Sequence, residues 1–457
     1  MSFLLIPNEV TSSEAVVWVC VVNENIDPNT LSIKYNGGQR ISLNQDWVKY
    51  STKSKRNFLF YQYLTIQNLQ PGMEYFFELY SGNQTFSTGS FRTLPNYLPT
   101  VNEKPFTILL ASCFSSSRAG SNALGTAYLK LREKEKIDLK ILCGDQVYLD
   151  DPALYFLVNK HSFEDLEEIL LANYVKTWTQ GGANSPINSI NPGYQYFLQN
   201  GANFFSSDDH EFWNNAPNRA TLIRDSWSVK GRYNWMKIAK SLLEIFQSKH
   251  SKIAFDVGSL SFFVADTRVG RDADRMSFMS NADLSALENW VTNLKDVGVL
   301  VVGQPIFSDK AGFLKGNLGD WNLPDYAQYE DFVRILSKTE HSIIVLTGDV
   351  HFGRISFCQL KPGVFLYELI SSPTALVDPK VGGSWKQAPD TFPAFSVPGV
   401  SSKPIVNNYD YKFTENHFLL LNFYRDGAKT KAVAKVCEIF AGGKNPIPIK
   451  IAEFNLA

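Results

Sequence analysis

The stretch Ser342-Ile-Ile-Val-Leu-Thr-Gly-Asp-Val-His351 decides how the chain is read. A β-branched apolar run ends in Gly348, and Asp349 and His351 follow with one residue between them. Such a run has the composition of a strand buried on both faces, and the glycine marks a sharp exit. Alternate residues leaving a strand point to one side, so Asp349 and His351 are expected to reach a common point beyond its end. Open α/β sheets place their ligands at the carboxyl ends of strands. A carboxylate and an imidazole presented there together suggest a metal. Gly-Asp-x-His also closes ordinary strands, so the case turns on what else the chain brings to the same place.

Five further apolar runs from Phe106 onward end in polar residues. They are Ile108-Leu-Leu-Ala-Ser-Cys113; Leu139-Lys-Ile-Leu-Cys-Gly-Asp145 with Tyr148; Asn203-Phe-Phe-Ser-Ser-Asp-Asp-His-Glu211; Leu260-Ser-Phe-Phe-Val-Ala-Asp-Thr-Arg268; and Val299-Leu-Val-Val-Gly-Gln304. Helical patterns alternate with them, at 163–171, 221–248 and 284–296, which is α/β grammar. An α/β fold gathers such endings on one side of its sheets. The insertion at 152–200, broken by the loop Gly181-Gly-Ala-Asn-Ser-Pro186, reads either as a lid over that side or as a packing layer. After Tyr367 the pattern returns to β, and Phe418–Tyr424 with Lys431–Cys437 suggests a closing hairpin.

Residues 1–95 read as all-β, with short strands between turns. Leu69-Gln-Pro-Gly-Met-Glu-Tyr-Phe-Phe-Glu-Leu79 resembles the corner before a late strand of fibronectin type III and immunoglobulin-like sandwiches. Pro95, Pro99 and Pro105 mark a linker to a second domain spanning 105–457.

Composition narrows the function classes. Lys plus Arg (44) nearly cancels Asp plus Glu (45) over 457 residues, so no global field favours nucleic acid. Aromatic residues at 14% fit a packed globular chain. No apolar window is long enough for a membrane-spanning helix. Met1-Ser-Phe-Leu-Leu-Ile-Pro7 lacks the basic start of a signal peptide, so the expected location is cytoplasmic unless a leader was removed. The five cysteines are scattered and odd in number, unlike a disulfide framework.

The donors sort by hardness. Cys113, Asp145, Tyr148 and His351 combine thiolate, carboxylate, phenolate and imidazole, a set suited to a strongly Lewis-acidic ion, Fe3+ first. Asp209, Gln304, Asp349 and a shared Asp145 are oxygen donors, better suited to Ca2+, Mg2+ or Mn2+ than to zinc. Plainer readings stand beside these. Cys113 could be a core thiol, Tyr148 a core cap, Gln304 part of a turn with Pro305, and Arg268 a salt-bridge partner of Asp266 in competition with Arg271.

Gly144-Asp-Gln-Val-Tyr148, Asp208-Asp-His-Glu211 and Gly348-Asp-Val-His351 resemble the blocks of calcineurin-type metallophosphoesterases. With Ala111-Ser-Cys113, Ala265-Asp-Thr-Arg268 and Thr347, they are similar to the alkaline phosphatase D (PhoD) family, in order from about 105 to 375. The resemblance implies a four-layer metallophosphoesterase β-sandwich flanked by helices, preceded by the all-β domain. It implies a dinuclear centre bridged by Asp145, with Cys113, Tyr148 and His351 on the first ion and Asp209, Gln304 and Asp349 on the second. Asp349 and His351 would then divide between two ions. Fe3+ beside Ca2+ is the implied pair. The substrate would be a phosphate monoester or diester, with His210 protonating the departing oxygen or stabilising charge on the phosphoryl group, Arg268 as a phosphate fork and Glu211 orienting His210. Two alternatives remain: a phospholipase D-like diesterase acting on lipid or polymer, and a binding protein with a relict site.

Overall fold

The computed structural model describes residues 2–456 other than 24–25, 39, 44–45, 55, 119–121, 182–191, 313–319, 376–383 and 441–444. Most of the loop expected at 181–186 lies outside the described residues. The chain opens with strands β1 (Ser2–Asn8), β2 (Ala15–Val22), β3 (Leu31–Tyr35), β4 (Ile41–Ser42), β5 (Val48–Ser51), β6 (Phe58–Ile66), β7 (Glu74–Ser81) and β8 (Gln84–Arg92). Strands and helices then alternate: β9 (Phe106–Ala111), α1 (Ala123–Arg132), β10 (Leu139–Cys143), α2 (Ala153–Val158), α3 (Phe163–Trp178), α4 (Tyr194–Gln199) and β11 (Ala202–Ser206). Next come α5 (Val229–Phe246), β12 (Lys252–Val257), β13 (Leu260–Ala265), α6 (Asn281–Thr292), β14 (Gly298–Val301), α7 (Tyr329–Ser337) and β15 (Ile343–Thr347). The last part is β16 (Gly353–Lys361), β17 (Val364–Ile370), β18 (Thr391–Phe392), β19 (Lys403–Phe413), β20 (His417–Asp426), β21 (Lys429–Glu438) and β22 (Ile449–Leu456).

Two large sheets face each other. One runs β22-β21-β20-β9-β10-β11-β1-β2-β6-β5 and the other β12-β13-β14-β15-β17-β16-β19-β18, with a four-stranded sheet β4-β3-β7-β8 beside them. Ile108, Leu110, Ile141 and Phe204 from the first sheet meet Val264, Val299, Val301 and Leu346 from the second in one core. Their outward neighbours are apolar too. Leu109, Leu142 and Phe205 pack under α1, α3, α4 and α5; Phe263, Leu300 and Val345 pack under α6 and α7. Burial on both faces explains why these strands read as continuous apolar runs.

Short polar caps start the helices. Ser162, Ser228 and Ser280 accept the N–H of Asp165, Gly231 and Asp283 ahead of α3, α5 and α6. Leu166, Leu170, Leu171, Tyr174 and Trp178 of α3 are buried, so this part of the 152–200 insertion is a packing layer. The closing hairpin forms as β20 and β21, paired from His417–Glu438 to Asp426–Lys429.

The expected corner at Leu69–Leu79 also forms, with the N–H of Gln70 donating to the Tyr75 hydroxyl at 2.9 Å. Of the first eight strands, however, β1, β2, β5 and β6 lie in the ten-stranded sheet, and β1 joins β11 in parallel at Asn8 and Asn203. One sheet therefore runs through both segments expected as domains.

The topology places the site. β9, β10 and β11 are mutually parallel, and so are β13, β14 and β15. All six polar endings thus leave carboxyl ends of parallel strands.

One core group makes stability depend on pH. Nδ1 of His417 lies 2.8 Å from the Glu415 carbonyl, so it carries the proton, and Nε2 accepts from the Tyr411 hydroxyl at 2.7 Å. Burial pulls the folded pKa of this imidazole to about 4, from an ordinary 6.5. The unfolded chain therefore takes up the proton first. Stability present above the unfolded value should be lost as the pH falls through this window, by about 3 kcal/mol in total. His417→Gln should remove that share of the slope in urea midpoints measured on either side of it.

Candidate metal centre

Four expected ligands stand on left-handed backbone: Cys113 at φ 57°, Asp145 at 55°, Asp349 at 69° and His351 at 59°. For a non-glycine residue this conformation costs about 1–3 kcal/mol, and it gathers at functional sites. It also corrects a detail of the opening stretch. Asp349 and His351 do not continue the alternation of β15, because each is turned by its own backbone beyond Thr347. Gly144, at φ 77°, is required where it stands, since a Cβ there would lie 2.5 Å from that of Asp208.

These turns bring donors from both sheets together. The Cys113 thiol is 3.4 Å from Asp145 Oδ2, and the Tyr148 hydroxyl is 3.5 Å from the same oxygen. That hydroxyl also lies 3.3 Å from His351 Nε2. Ligand atoms of Cys113, Asp145 and His351 fall within 4.8 Å of one another, as do those of Asp145, Asp209 and His210. Asp145 belongs to both groups. The charge on Asp349 acts chiefly with Asp208, Asp209 and Asp320, whereas His351 faces Tyr148 and Asp145. Asp349 also acts on the Cys113 thiol, which lies 3.5 Å from its carbonyl oxygen.

Electrostatics tests whether a cation fits. Burial first, then the neighbouring thiol and carboxylates, pushes Asp145 far above the usual carboxylate range. Asp209 and Asp349 are raised by burial and then by the acids around them, although His210 and Arg268 oppose the rise. Burial lifts the Cys113 thiol to about 12 and lifts the Tyr148 phenol as well. The His351 imidazole is pulled down to about 4 by burial, with His210 adding to the fall, so it is held in its neutral, ligating form. Acceptors crowded in a core with too little positive charge are what a cation would relieve, and thiols and carboxyls ligate once deprotonated. The donor set fits a metal centre.

Other expected residues are engaged elsewhere. Gln304 takes a donor from Arg271 Nη2 at 2.6 Å and gives one to Asp320 Oδ2 at 2.5 Å. Its carbonyl oxygen keeps a second lone pair. Arg268 is buried, and its N–H groups go to Asp208, Asp320 and the Ala216 carbonyl at 2.5–3.2 Å. In this geometry it braces carboxylates and has no fork left for phosphate. The Asp266 contact is made by the backbone N–H of Arg268, at 2.9 Å, and not by its guanidinium. Glu211 does not orient His210 either. It accepts the backbone N–H groups of Asp145 (2.8 Å), Gln146 (2.5 Å) and Asp208 (2.9 Å) and the side-chain amide of Gln247 (3.1 Å).

The carboxylate on His210 is Asp150, 2.6 Å from Nδ1. Burial disfavours the imidazolium, but Asp150, Asp209 and Asp145 outweigh it and raise the pKa of His210. Tyr148 stacks on the same ring at 4.1 Å between centroids. Sequence reading missed Asp150 and Asp208, although both sit inside or beside quoted motifs. It also missed Asp320, and Ser372, which donates to the Cys113 sulfur at 3.1 Å; no local pattern marks either.

Arg268→Met should strand Asp208 and Asp320 in the core and cost about 3–5 kcal/mol in denaturant unfolding. A guanidinium kept for substrate would instead raise KM and leave stability unchanged.

No family model matches the chain. Over 318 residues it is 26% identical to alkaline phosphatase D of Bacillus subtilis (strain 168), covering 62% of this chain and 52% of that protein. The chain thus spans about half the length of this curated relative. A solved structure described as that of PhoD superposes with a TM-score of 0.62 at 16% identity, covering 99% of this chain and 91% of the other. At that identity the superposition speaks for the fold. Sequence likeness and shared fold together support a PhoD-like family for this chain.

Proposed function

We propose that this chain hydrolyses phosphate monoesters, diesters or both at a dinuclear metal centre. The observation that carries the reading is the meeting of Cys113, Asp145, Tyr148 and His351, delivered from the ends of strands in two different sheets. In this reading those four residues hold the first ion, Fe3+. Asp209, Gln304, Asp349 and the shared Asp145 hold the second, Ca2+, with Mg2+ or Mn2+ as alternatives. Residues 1–95 act as a buttressing β module and 105–457 carry the chemistry.

Bound cations would polarise a phosphoryl oxygen and acidify a water. The chain does the rest. Asp150 fixes His210 by Nδ1, which leaves Nε2 to carry a proton towards the departing ester oxygen. Arg268 and Arg271 keep Asp208 and Asp320 in place beside Asp209. The acidic crowd around Asp209 and Asp349 suits a cation that keeps oxygen ligands.

Chromogenic phosphate mono- and diesters offered to metal-replete protein test the reaction. Turnover of at least one is expected, with loss on chelation; no turnover of either would end the proposal. His210→Gln should lower kcat by about 10²–10⁴-fold with metal content unchanged by elemental analysis.

The first ion has its own test. A phenolate on Fe3+ gives a visible charge-transfer band, which Tyr148→Phe should bleach. A colourless protein that also contains no iron would remove Fe3+ from the assignment.

A further inference from the structure

α2 and the start of α5 leave large apolar side chains in water. Leu154 and Val158 on α2, Leu222 and Trp227 on the connection, and Val229 and Tyr233 on α5 are 44–76% exposed. Leu154 with Val158, and Val229 with Tyr233, are four residues apart and share a helix face. The two segments are locked together. Arg224 donates to the Val158 carbonyl at 3.2 Å, and Asp225 takes the backbone N–H and Nδ1 of His161 at 3.1 and 2.7 Å. Phe156 turns inward against Trp235, with ring centroids 5.0 Å apart, so this is the outer face of an anchored unit.

Charge on this face is mainly positive, with Asp151, Glu164 and Asp165 standing just beyond its ends. Residues 152–163 and 217–237 carry six basic side chains, Lys160, Arg219, Arg224, Lys230, Arg232 and Lys237, in a chain whose net charge is −1. Their single acid, Asp225, is buried and held by His161. Both segments also start at the metal centre. Asp150, just before α2, holds His210, while Asn215 donates its N–H to Asp209 and its amide to the Arg219 carbonyl, each at 3.1 Å.

We propose that this face docks the protein on an anionic phospholipid bilayer. The apolar side chains would enter the interface, with the cations at headgroup level. A second copy is a poor occupant, because two-fold pairing would set one cationic face against another. Nucleic acid is a poorer one, since four of the six exposed side chains, Leu154, Val158, Leu222 and Val229, are aliphatic and leave only Trp227 and Tyr233 to stack on bases. The inference goes beyond ester hydrolysis and is read without turnover, so either can fail alone.

The test is co-sedimentation of the full chain with vesicles of phosphatidylcholine and of phosphatidylcholine mixed with phosphatidylglycerol. Binding to the mixed vesicles should be on the order of tenfold stronger and should weaken with salt. Leu154→Ser/Val229→Ser/Tyr233→Ser should reduce it by about as much at an unchanged melting temperature. If that variant melts early, Lys230→Glu/Lys237→Glu supplies the same reading from the exposed cations. Equal or no binding to both vesicles, binding untouched by either variant, or a dimer that the apolar variant dissociates would overturn the proposal.

Discussion

A carboxylate that belongs to neither ligand group carries the geometry of the centre. Glu211 is buried, and three of its four donors are main-chain N–H groups, from Asp145, Gln146 and Asp208. It pins the loop after β10 to the loop after β11, and through Gln247 it ties both to the end of α5. Burial lifts its pKa to about 7, against the pull of those donors. Moving either loop would strand N–H groups and a charge in the core, which costs more than any one hydrogen bond contributes. The left-handed backbone at Asp145 is held by this arrangement.

Around that anchor the work divides between the sheets. The first supplies Cys113, Asp145, Tyr148 and Asp209; the second supplies Asp349 and His351. The central strands of each sheet are packed on both faces. The candidate ligands therefore meet at a seam between the two sheets, stitched by contacts such as Ser206 Oγ to the Ala265 carbonyl at 2.9 Å. Arg268 and Arg271 neutralise the far side of this seam, where Asp208 and Asp320 would otherwise add to the crowding.

The strands and their endings were legible because burial on both faces leaves unbroken apolar runs, and parallel pairing makes their exits converge. The hairpin of β20 and β21 and the Tyr75 corner were legible for the same local reasons. Partners set by folding at a distance were not. Arg268 reads as a phosphate fork until Asp320, far along the chain, takes its donors. Glu211 sits next to His210 in sequence yet faces the main chain of another loop, because the short turn Asp209–Glu211 points the two side chains apart. The shared sheet across residues 95–105 was hidden too, since a linker rich in proline says nothing about which strands will pair.

That shared sheet sets an order of events during synthesis. Asn203 donates to the Pro7 carbonyl across 196 residues, and Thr107 meets Asn422 across 315. A ribosome making this chain exposes one edge of β1 and one of β9 long before β11 and β20, which cover them, exist. Loop closure over such distances is slow, and unpaired strand edges attract other chains meanwhile. The segment from residue 105 onward cannot be laid down after a finished amino-terminal segment. Both are completed together, once the carboxyl-terminal strands emerge.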